Sequence, residues 1–357
     1  MTVRIGFVGA GRVAQHYKKI LLSGSVQNFS IVGICDLNIL AAQELAKSFS
    51  CDYFSSLPQM IEKVKPDLIC ILTPSGLHYE QAHKALLSGV NLLVEKPLSM
   101  ATDQVKELCR LAKQKDLLLS VGFQNRLNPA MLCLRKAVDE NRFGKIVTAT
   151  IRLRWCRYQS YYDDEWHGTW EQDGGVINQQ AIHHVDALSW LIGPADSVCA
   201  RMGNQLNNLE AEDTLVGLIK FQNGTLSTVE ATTAARPHDV EASISIVGEK
   251  GIAVVGGIGL NKIETWDFVI PEEKDRTIPI ENSIDVPTGY GLSHGPLLQG
   301  IITALENGST KSPVDAVDTL RTTELIQAFY ASVEQGAWVK MSDNPSSKKL
   351  GVKSDGN

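Results

Sequence analysis

A lysine stands at the end of an apolar run, in the segment Leu92-Leu93-Val94-Glu95-Lys96-Pro97. The run predicts a buried strand whose carboxyl end carries a carboxylate, an amine and a proline. Ligands of open α/β sheets bind just beyond the carboxyl ends of the strands, and desolvation lowers the pKa of a lysine toward the range useful for proton transfer. A surface lysine that closes a strand is the competing interpretation, and this segment alone does not separate the two.

A glycine turn near residue 10 supplies a second candidate site. A β-type run at residues 3–8 leads into Gly9-Ala10-Gly11-Arg12-Val13-Ala14, and a helical pattern follows. Strand, glycine turn and helix form the context of a dinucleotide fingerprint, in which Gly9 permits the tight turn and Gly11 lets backbone amides approach a pyrophosphate. Arg12 and Val13 begin the helix, whose unpaired N–H groups favour phosphate. Other tight βα turns carry such glycines too.

The next predicted strand, residues 30–35, ends in Asp36. A carboxylate at this place accepts hydrogen bonds from ribose hydroxyls and repels a 2′-phosphate, so we expect NAD(H) rather than NADP(H). Leu37 and Asn38 follow, with no arginine to hold such a phosphate. The competing role for Asp36 is a cap for the helix that begins near Asn38, and the glycine turn upstream favours the ribose role.

Further α/β units continue to about residue 123. The apolar run 68–72 ends at Thr73 and Pro74, His78 opens the following helix, and a last strand is predicted at 117–123. Near-continuous apolar strands are typical of parallel sheets that are covered on both faces. We therefore expect about six parallel strands, whose carboxyl ends face one crevice.

The second half of the chain has a different pattern. Residues 144–156 alternate between apolar and polar, and similar strands are predicted at 197–202, 214–221, 225–233 and 241–247. Asn223-Gly224 between two of them is a strong hairpin signal. Strands in succession after a βα half indicate an α+β domain with a mostly antiparallel open sheet. The predicted domains are an NAD-binding Rossmann domain at 1–124, an α+β substrate and oligomerisation domain at 125–341, and a polar, disordered tail at 342–357.

Composition limits the class of protein. The 357 residues are 43% hydrophobic and 21% charged, with a formal net charge of −6, which suits a soluble cytoplasmic protein of two domains. This balance, without a basic run, argues against nucleic acid or an anionic membrane as partner. The first apolar segment is too short to span a membrane and lacks a cleavage-site pattern. The seven cysteines include no C-x-x-C pair, so we expect reduced thiols and no metal site.

In order and spacing, Gly9-Ala10-Gly11, Asp36, Thr73-Pro74 with His78, and Glu95-Lys96-Pro97 resemble the Gfo/Idh/MocA family of sugar and cyclitol oxidoreductases. The resemblance covers the whole N-terminal half. It implies that Lys96 lies beside the nicotinamide of NAD and helps to handle the proton of the substrate hydroxyl. It also implies that a cis peptide bond precedes Pro97 and that Glu95 and Gln124 contribute to the cofactor site.

Two adjacent histidines, His183 and His184, lie in a predicted helix with one apolar stripe. Neighbouring helix positions point about 100° apart, so the pair cannot ligate one metal. The resemblance selects His183, because the family motif has a histidine followed three places later by Asp, here Asp186. In the family that histidine lies opposite the lysine and serves as the general base. A carboxylate usually stands four residues earlier, where this chain has Gln179.

Gln179 departs from the cyclitol dehydrogenases of the family. The segments 168–170 and 178–183 resemble instead the bacterial nucleotide-sugar branch, which includes UDP-N-acetylglucosaminuronate 3-dehydrogenases of surface-polysaccharide pathways. Such substrates carry a diphosphate and often a carboxylate, which need cationic partners. The resemblance implies the following substrate contacts: Lys96, Arg126, Arg157, Trp166, Gln179, His183 and Tyr290.

Aromatic side chains are concentrated at residues 155–170, although only 6% of the chain is aromatic. An oligomer contact and a lid that stacks on a sugar or base explain this concentration equally well. The sequence leaves both interpretations open.

The leading hypothesis is an NAD-dependent sugar dehydrogenase that oxidises a secondary hydroxyl, C3 of a nucleotide sugar such as a UDP-N-acetylglucosaminuronate, with Lys96 and His183 as catalytic residues. A cyclitol or free-sugar dehydrogenase is the nearest alternative, and Gln179 speaks against it. An alternative of another class is a non-catalytic regulator that senses dinucleotide, which needs neither Lys96 nor His183. Since open sheets of this family often pair face to face, we also expect a homodimer or homotetramer.

Overall fold

The computed structural model describes residues 2–353, which fold as two units. The first unit contains the chain up to Gln124 together with Ser293–Leu320, and the second contains Asn125–Leu292 and the chain from Arg321 onward. Each unit has its own sheet and its own apolar core. Among the described residues no helix is both long enough and apolar enough to cross a membrane.

The sheet of the first unit has six parallel strands in the order β3-β2-β1-β4-β5-β6. The strands are β1 Val3–Val8, β2 Phe29–Cys35, β3 Asp52–Phe54, β4 Leu68–Ile71, β5 Asn91–Val94 and β6 Leu119–Val121. The helices that connect them are α1 Arg12–Leu22, α2 Ile39–Lys47, α3 Leu57–Val64, α4 His78–Leu87 and α5 Thr102–Gln114. The prediction of about six parallel strands is confirmed. Strand order reverses between β1 and β4, the kind of switch point at which open α/β sheets bind ligands.

The apolar pattern of the first unit explains its layers. Every residue of β4 is buried, because helices cover both faces of a parallel sheet. Helix α5 buries Val105, Leu108 and Leu111, which recur at helical spacing on one face. The central strands and the helix stripes therefore form one core beneath the switch point.

One segment lies in the first unit although the sequence assigned it to the second. Helix α10, His294–Glu306, packs against α1 and β1. It buries Leu297, Leu298, Ile301 and Ile302 in the core of the first unit. In the chain that follows, the Ser312 hydroxyl donates to Ser120 Oγ over 2.6 Å, and the Val314 carbonyl accepts the Ser120 hydroxyl over 3.0 Å. Residues 293–320, which the sequence analysis included in the domain 125–341, thus pack with the first unit, because an apolar stripe does not show which core covers it.

The second unit contains an eight-stranded sheet in the order β13-β12-β11-β7-β10-β9-β8-β14. The strands are β7 Ile146–Arg154, β8 Ala195–Gly203, β9 Thr214–Phe221, β10 Leu226–Thr232, β11 Glu241–Gly248, β12 Gly251–Gly256, β13 Lys262–Phe268 and β14 Val339–Lys340. The β7–β10 pair is parallel and the remaining pairs are antiparallel. The expected α+β domain with a mostly antiparallel sheet is therefore confirmed. Gly224, at φ 87°, makes the predicted hairpin turn between β9 and β10.

The second unit contains helices as well as this sheet. They are α6 Pro129–Asp139, α7 Val176–Gln179, α8 Ile182–Ile192, α9 Ile278–Glu281 and α11 Leu320–Gln335. Helix α8 packs on β7 and β11. Strand β9 alternates buried and exposed residues along its length, so one side of the sheet faces the helices and the other is more exposed.

The predicted disordered tail is packed as far as the structure describes it. Leu350 is only 3% exposed. The Ser347 hydroxyl donates to Glu334 on α11 over 2.6 Å, and the Gly351 N–H donates to the Trp170 carbonyl over 2.8 Å. The prediction of disorder is wrong up to residue 353, because one buried leucine and a few hydrogen bonds anchor a polar sequence. Residues 354–357 lie outside the described chain.

Replacing Leu350 with alanine is expected to lower the free energy of unfolding by about 2–4 kcal/mol, as for other buried leucines. The matched control is Val352→Ala, at a position that is 51% exposed, which should change it by less than about 0.5 kcal/mol. Urea titrations of both variants measure the difference. Equal, small effects would show that the tail does not pack in solution.

Candidate active site

The glycine turn after β1 is shaped by close backbone packing. Gly9 has φ 101°, and a Cβ at this position would lie 2.8 Å from the carbonyl carbon and oxygen of Leu72. Gly11 caps α1 and has open space around it, while Arg12 is exposed and Val13 half-exposed. The first turn of α1 thus presents backbone N–H groups to an open surface, as a phosphate-binding helix N-terminus requires.

Asp36 holds this turn from the neighbouring strand. One carboxylate oxygen accepts the Ala10 N–H and the other accepts the Asn38 N–H, each over 2.7 Å. The cap of α2 is Asn38, whose side chain accepts the Ala41 N–H, so Asp36 is not the cap residue. A carboxylate offers about four acceptor sites, and those left over fit the ribose hydroxyls of NAD.

The turn after β4 is tied to the turn after β5 by His78. Its two ring nitrogens lie 2.6 Å from the Pro97 carbonyl oxygen and 2.8 Å from the Thr73 carbonyl oxygen. Burial lowers the pKa of His78, against the effect of these two carbonyls. A neutral imidazole has one N–H, so the ring donates to one carbonyl at a time. His78 therefore braces the cofactor edge of the sheet from within, and Thr73 and Pro74 are the half-exposed residues of that turn.

Lys96 is the half-exposed residue in a segment that is otherwise buried from Leu92 to Met100. The Lys96–Pro97 peptide bond is cis, as the family resemblance led us to expect. The register of the sheet aligns Val8, Ile71 and Val94 on adjacent strands. The glycine turn, Thr73 and Lys96 consequently follow neighbouring strands at one edge of the sheet.

Glu95 points into the first unit rather than out of it. The Tyr17 hydroxyl donates to its Oε1 over 3.1 Å, and His294 Nε2 lies 4.0 Å from the same oxygen. Gly122 leaves room for the carboxylate, since a Cβ there would lie 2.9 Å from Oε2. Burial raises the pKa of Glu95, while the Lys96 charge and the Tyr17 hydrogen bond oppose that rise. Glu95 thus fixes the backbone that carries Lys96.

Gln124 closes the first unit in a short 3-10 turn. Its side chain is buried, and its Oε1 has no hydrogen-bond partner among residues 2–353. A buried carbonyl oxygen without a donor costs free energy unless a ligand or water supplies one. This observation fits its expected place in the NAD site.

The two adjacent histidines of the second unit have different surroundings. His183 is half-buried, whereas His184 is 1% exposed and neither of its ring nitrogens has a partner within the described chain. Burial lowers the pKa of His184 to about 4. His184 faces the core because α8 packs on the sheet, which leaves His183 as the histidine with access to solvent or substrate.

A buried carboxyl group that the sequence analysis did not select, that of Glu212, lies against the start of α7. Glu212 Oε1 accepts hydrogen bonds from the Tyr330 hydroxyl and the Ile177 N–H, both over 3.1 Å. Gly175 must be glycine here, since a Cβ would lie 2.2 Å from the Glu212 carboxyl group. Burial raises the pKa of Glu212 to about 8. A glutamate beside a strand looks ordinary in sequence, and only its enclosure makes it unusual.

Apart from Lys96, the expected substrate residues are distributed over the second unit. Arg126 lies in a buried ion pair with Asp186, and Gln179 ends α7 half-buried. Arg157 donates to Asp239 over 3.0 Å and lies over the Trp155 ring. Trp166 stacks on His167 with the ring centroids 3.6 Å apart, and Tyr290 is 40% exposed.

The aromatic segment 155–170 is partly core. The Tyr162 hydroxyl shares a 2.7 Å hydrogen bond with Thr233 Oγ1, and Trp170 packs edge-on against Tyr330. Trp166 is half-exposed and Tyr158 is 54% exposed. The concentration of aromatic residues therefore has a packing role at Tyr162 and Trp170, and the lid interpretation is confined to the other members.

Two family models match the chain. The NAD-binding Rossmann fold of the Gfo/Idh/MocA oxidoreductase family matches residues 3–123, and the C-terminal alpha/beta domain of that family matches residues 135–341. The chain belongs to the Gfo/Idh/MocA oxidoreductase family. It is an oxidoreductase, and its cofactor is NAD, for which the Asp36 carboxylate, the glycine turn and the Gln124 carbonyl oxygen are suitable partners.

Members of the family with solved structures are similar over nearly the whole chain. The WlbA dehydrogenase of Chromobacterium violaceum, solved with NADH and UDP-GlcNAcA, is 32% identical with a TM-score of 0.88, and the match covers 95% of this chain and 96% of that one. The WlbA dehydrogenase of Bordetella pertussis, solved with the same two ligands, has the same identity and TM-score over 95% and 97% of the two chains. D-glucoside 3-dehydrogenase of Escherichia coli is 28% identical, covering 71% of this chain and 77% of the relative.

The Asp36 carboxylate is expected to set the cofactor preference. The wild-type protein should have the higher kcat/KM with NAD, and Asp36→Ala should lower it about 10- to 100-fold, the cost of losing hydrogen bonds to a charged group. The ratio of NAD to NADP efficiencies should fall with it, since the repulsion of a 2′-phosphate is removed. Asp52→Ala, on the neighbouring strand β3, is the control and should leave the ratio unchanged. A wild-type preference for NADP would refute the role of Asp36.

Glu212 is expected to make stability depend on pH. Because its pKa is raised from 4.5 to about 8 in the fold, its neutral form stabilises the protein below pH 4.5, and that contribution is lost as the pH rises from about 4.5 to about 8. The free energy of unfolding of the wild type should fall over this window relative to Glu212→Gln, by an amount on the order of 1–4 kcal/mol. Urea unfolding of both proteins between pH 5 and about pH 9 measures it. Parallel curves would mean that Glu212 is ionised in the fold.

Proposed function

We propose that this protein is an NAD-dependent dehydrogenase that oxidises C3 of a nucleotide sugar such as a UDP-N-acetylglucosaminuronate, in the synthesis of surface-polysaccharide precursors. The observation that carries the proposal is the similarity, along 95% of the chain, to two dehydrogenases solved with NADH and UDP-GlcNAcA. Membership of the family supports the wider class, an NAD-dependent dehydrogenase of sugars or cyclitols. The finer assignment depends on the nucleotide-sugar relatives and on Gln179.

Oxidation of a secondary alcohol removes a hydride from carbon and a proton from oxygen. NAD, when bound, supplies the acceptor for the hydride. The chain handles the proton: His183 accepts it from the hydroxyl as the C=O bond forms, and the Lys96 ammonium donates a hydrogen bond to the same oxygen and stabilises its developing negative charge. Both residues are half-exposed within otherwise buried segments, as a group that must touch a ligand needs to be.

The neighbouring histidine is unsuited to this role. His184 is enclosed by the core of the second unit, and burial holds its pKa at about 4. A general base is most effective when its pKa lies near the working pH. The difference in burial between two adjacent imidazoles therefore supports the assignment of His183.

The substrate contacts are part of the same proposal. Arg157, Trp166 and Gln179 are half-exposed in the second unit and Tyr290 is exposed, and the Trp166 ring offers a face for a sugar or a base. Gln179 provides an amide where the cyclitol branch usually has a carboxylate. An amide can donate as well as accept a hydrogen bond, which suits an acylamino or a carboxylate substituent.

The test is a substrate screen read by NADH absorbance, with UDP-N-acetylglucosaminuronate, UDP-N-acetylglucosamine, D-glucose and myo-inositol. We expect the acidic nucleotide sugar to have the highest kcat/KM. Faster turnover of myo-inositol or glucose would replace the proposal with a cyclitol or free-sugar dehydrogenase. Tight NADH binding with no turnover of any sugar would indicate a dinucleotide sensor.

Lys96→Met and His183→Asn should each lower kcat by roughly 100-fold or more, because each removes a group that acts on the proton in the transition state. NADH binding, followed by fluorescence, should change far less in His183→Asn than turnover does. His184→Leu is the matched control, and it should keep kcat within about fivefold, since it removes an imidazole whose ring nitrogens have no hydrogen-bond partner among residues 2–353. Near-normal turnover in both variants would refute the mechanism.

A further inference from the structure

Two segments of the second unit donate hydrogen bonds to the carboxylate of Asp186, which lies on α8. Arg126 donates to it through two nitrogens, Nε to Oδ2 over 2.8 Å and Nη2 to Oδ1 over 2.7 Å. The Thr322 hydroxyl donates to Oδ1 over 2.8 Å. The side chains of Arg126 and Asp186 are only 6% and 2% exposed. This cluster is a charge-assisted fork with a third donor, closed off from water.

The Arg126 guanidinium contacts α8 at two successive turns. Asp186 and Trp190 are four residues apart and therefore on the same face of the helix. The Arg126 guanidinium, besides pairing with Asp186, lies 5.5 Å from the centroid of the Trp190 ring. Contacts at two levels of one face fix both the rotation of the helix and its position along its axis.

The chain enters the second unit twice, and each of the two partners of Asp186 lies near one of these entry points. Arg126 lies two residues after Gln124, the last residue of the first passage through the first unit, and Thr322 lies two residues after Leu320, the end of the second. Asp186 itself follows His183 by three residues, one helical turn. Both connecting segments are therefore hydrogen-bonded to the turn of α8 that adjoins His183.

We propose that Asp186, held by Arg126 and Thr322, is the positioning residue of the reaction: it fixes the turn of α8 that presents His183. Arg126, which the sequence analysis assigned to the substrate, acts here through Asp186 instead. The proposal rests on the catalytic role proposed for His183. Because both side chains of the pair are almost fully buried, loss of the cluster should lower kcat and leave the binding of cofactor and substrate nearly unchanged.

The chain contains a second fork of the same chemistry, which serves as a matched control. Arg142 donates to both oxygens of Asp275, over 3.2 and 2.7 Å, and the side chains are 11% and 8% exposed. Trp266 Nε1 adds a third donor at 3.0 Å, and the guanidinium lies over Phe268. This fork has no member on α8.

The experiment compares Asp186→Asn with Asp275→Asn. Asp186→Asn removes the Asp186 charge beside buried Arg126, and Asp275→Asn removes one of the two carboxylates beside Arg142, which keeps Glu272 Oε1 3.1 Å from its Nη1. Both variants should therefore melt at a lower temperature. Asp186→Asn should lower kcat about 30-fold or more with KM for the sugar and Kd for NADH within about threefold, whereas Asp275→Asn should keep kcat within about threefold. Thr322→Ser should behave as wild type, and Thr322→Val, which keeps the shape without the donor, should lower kcat about 3- to 10-fold. Equal losses of kcat in the two Asp variants would overturn the proposal.

Replacing both charges separates stability from positioning. The variant Arg126→Met with Asp186→Leu removes the buried pair altogether, which commonly restores stability, but it provides no directional bonds to hold the helix. We expect the melting temperature to recover and kcat to stay low. Recovery of kcat together with the melting temperature would show that the cluster only stabilises the fold.

His183→Asn, measured alongside, distinguishes this inference from the proposed function. Turnover in His183→Asn would refute the catalytic role of His183, and the positioning role with it. An inactive His183→Asn beside an Asp186→Asn that keeps its kcat would refute the positioning role alone.

Discussion

Each of the two proposed catalytic residues lies beside a buried carboxylate. Glu95 precedes Lys96 directly, and Asp186 follows His183 by one helical turn. A buried carboxylate is costly unless it is protonated, hydrogen-bonded or paired with a cation, so each one constrains the backbone and side chains around it. In this protein that constraint acts on the residues next to the two groups proposed to handle the substrate proton.

The two carboxylates satisfy the constraint in different ways. Asp186 has an arginine fork and a hydroxyl, which together use both of its oxygens. Glu95 has a phenol donor, the charge of the adjacent lysine and a raised pKa, and it is enclosed by Tyr17 and Gly122. A third buried acid, Glu212, has a phenol and a backbone N–H, and burial raises its pKa to about 8. The space that the Glu212 carboxyl group occupies explains why the residue just before α7, Gly175, is a glycine.

The parallel sheet positions the residues that are expected to hold the cofactor. Its strands end in register, so residues far apart in the chain follow adjacent strands at one edge. Asp36 accepts a hydrogen bond from the glycine turn after the adjacent strand β1, and His78 joins the turns after β4 and β5. The residues expected to hold NAD thus brace one another even where, as for His78, they are buried beneath the surface that the cofactor would meet.

The sequence by itself determined the features that depend on local backbone geometry. The glycine turn, the carboxylate after β2, the Lys96–Pro97 segment and the alternation of strands in the second half each reflect a periodicity or a turn within a few residues, and the fold class follows from their order. The general positions of β8 to β11 were predictable for the same reason, and so was the six-stranded parallel sheet.

Only the tertiary structure decided which partner each residue has. Arg126 and Asp186 are 60 residues apart and Thr322 is 136 residues from Asp186, so nothing near Arg126 shows that its charge is already paired. Helix α10 joins the Rossmann core and Leu350 anchors the tail because an apolar face specifies that it must be covered, without specifying by what. The pKa of Glu212 is raised and that of His184 is lowered for the same reason. Both shifts result from desolvation, which depends on all the atoms that surround the group, and the sequence alone does not show which atoms those are.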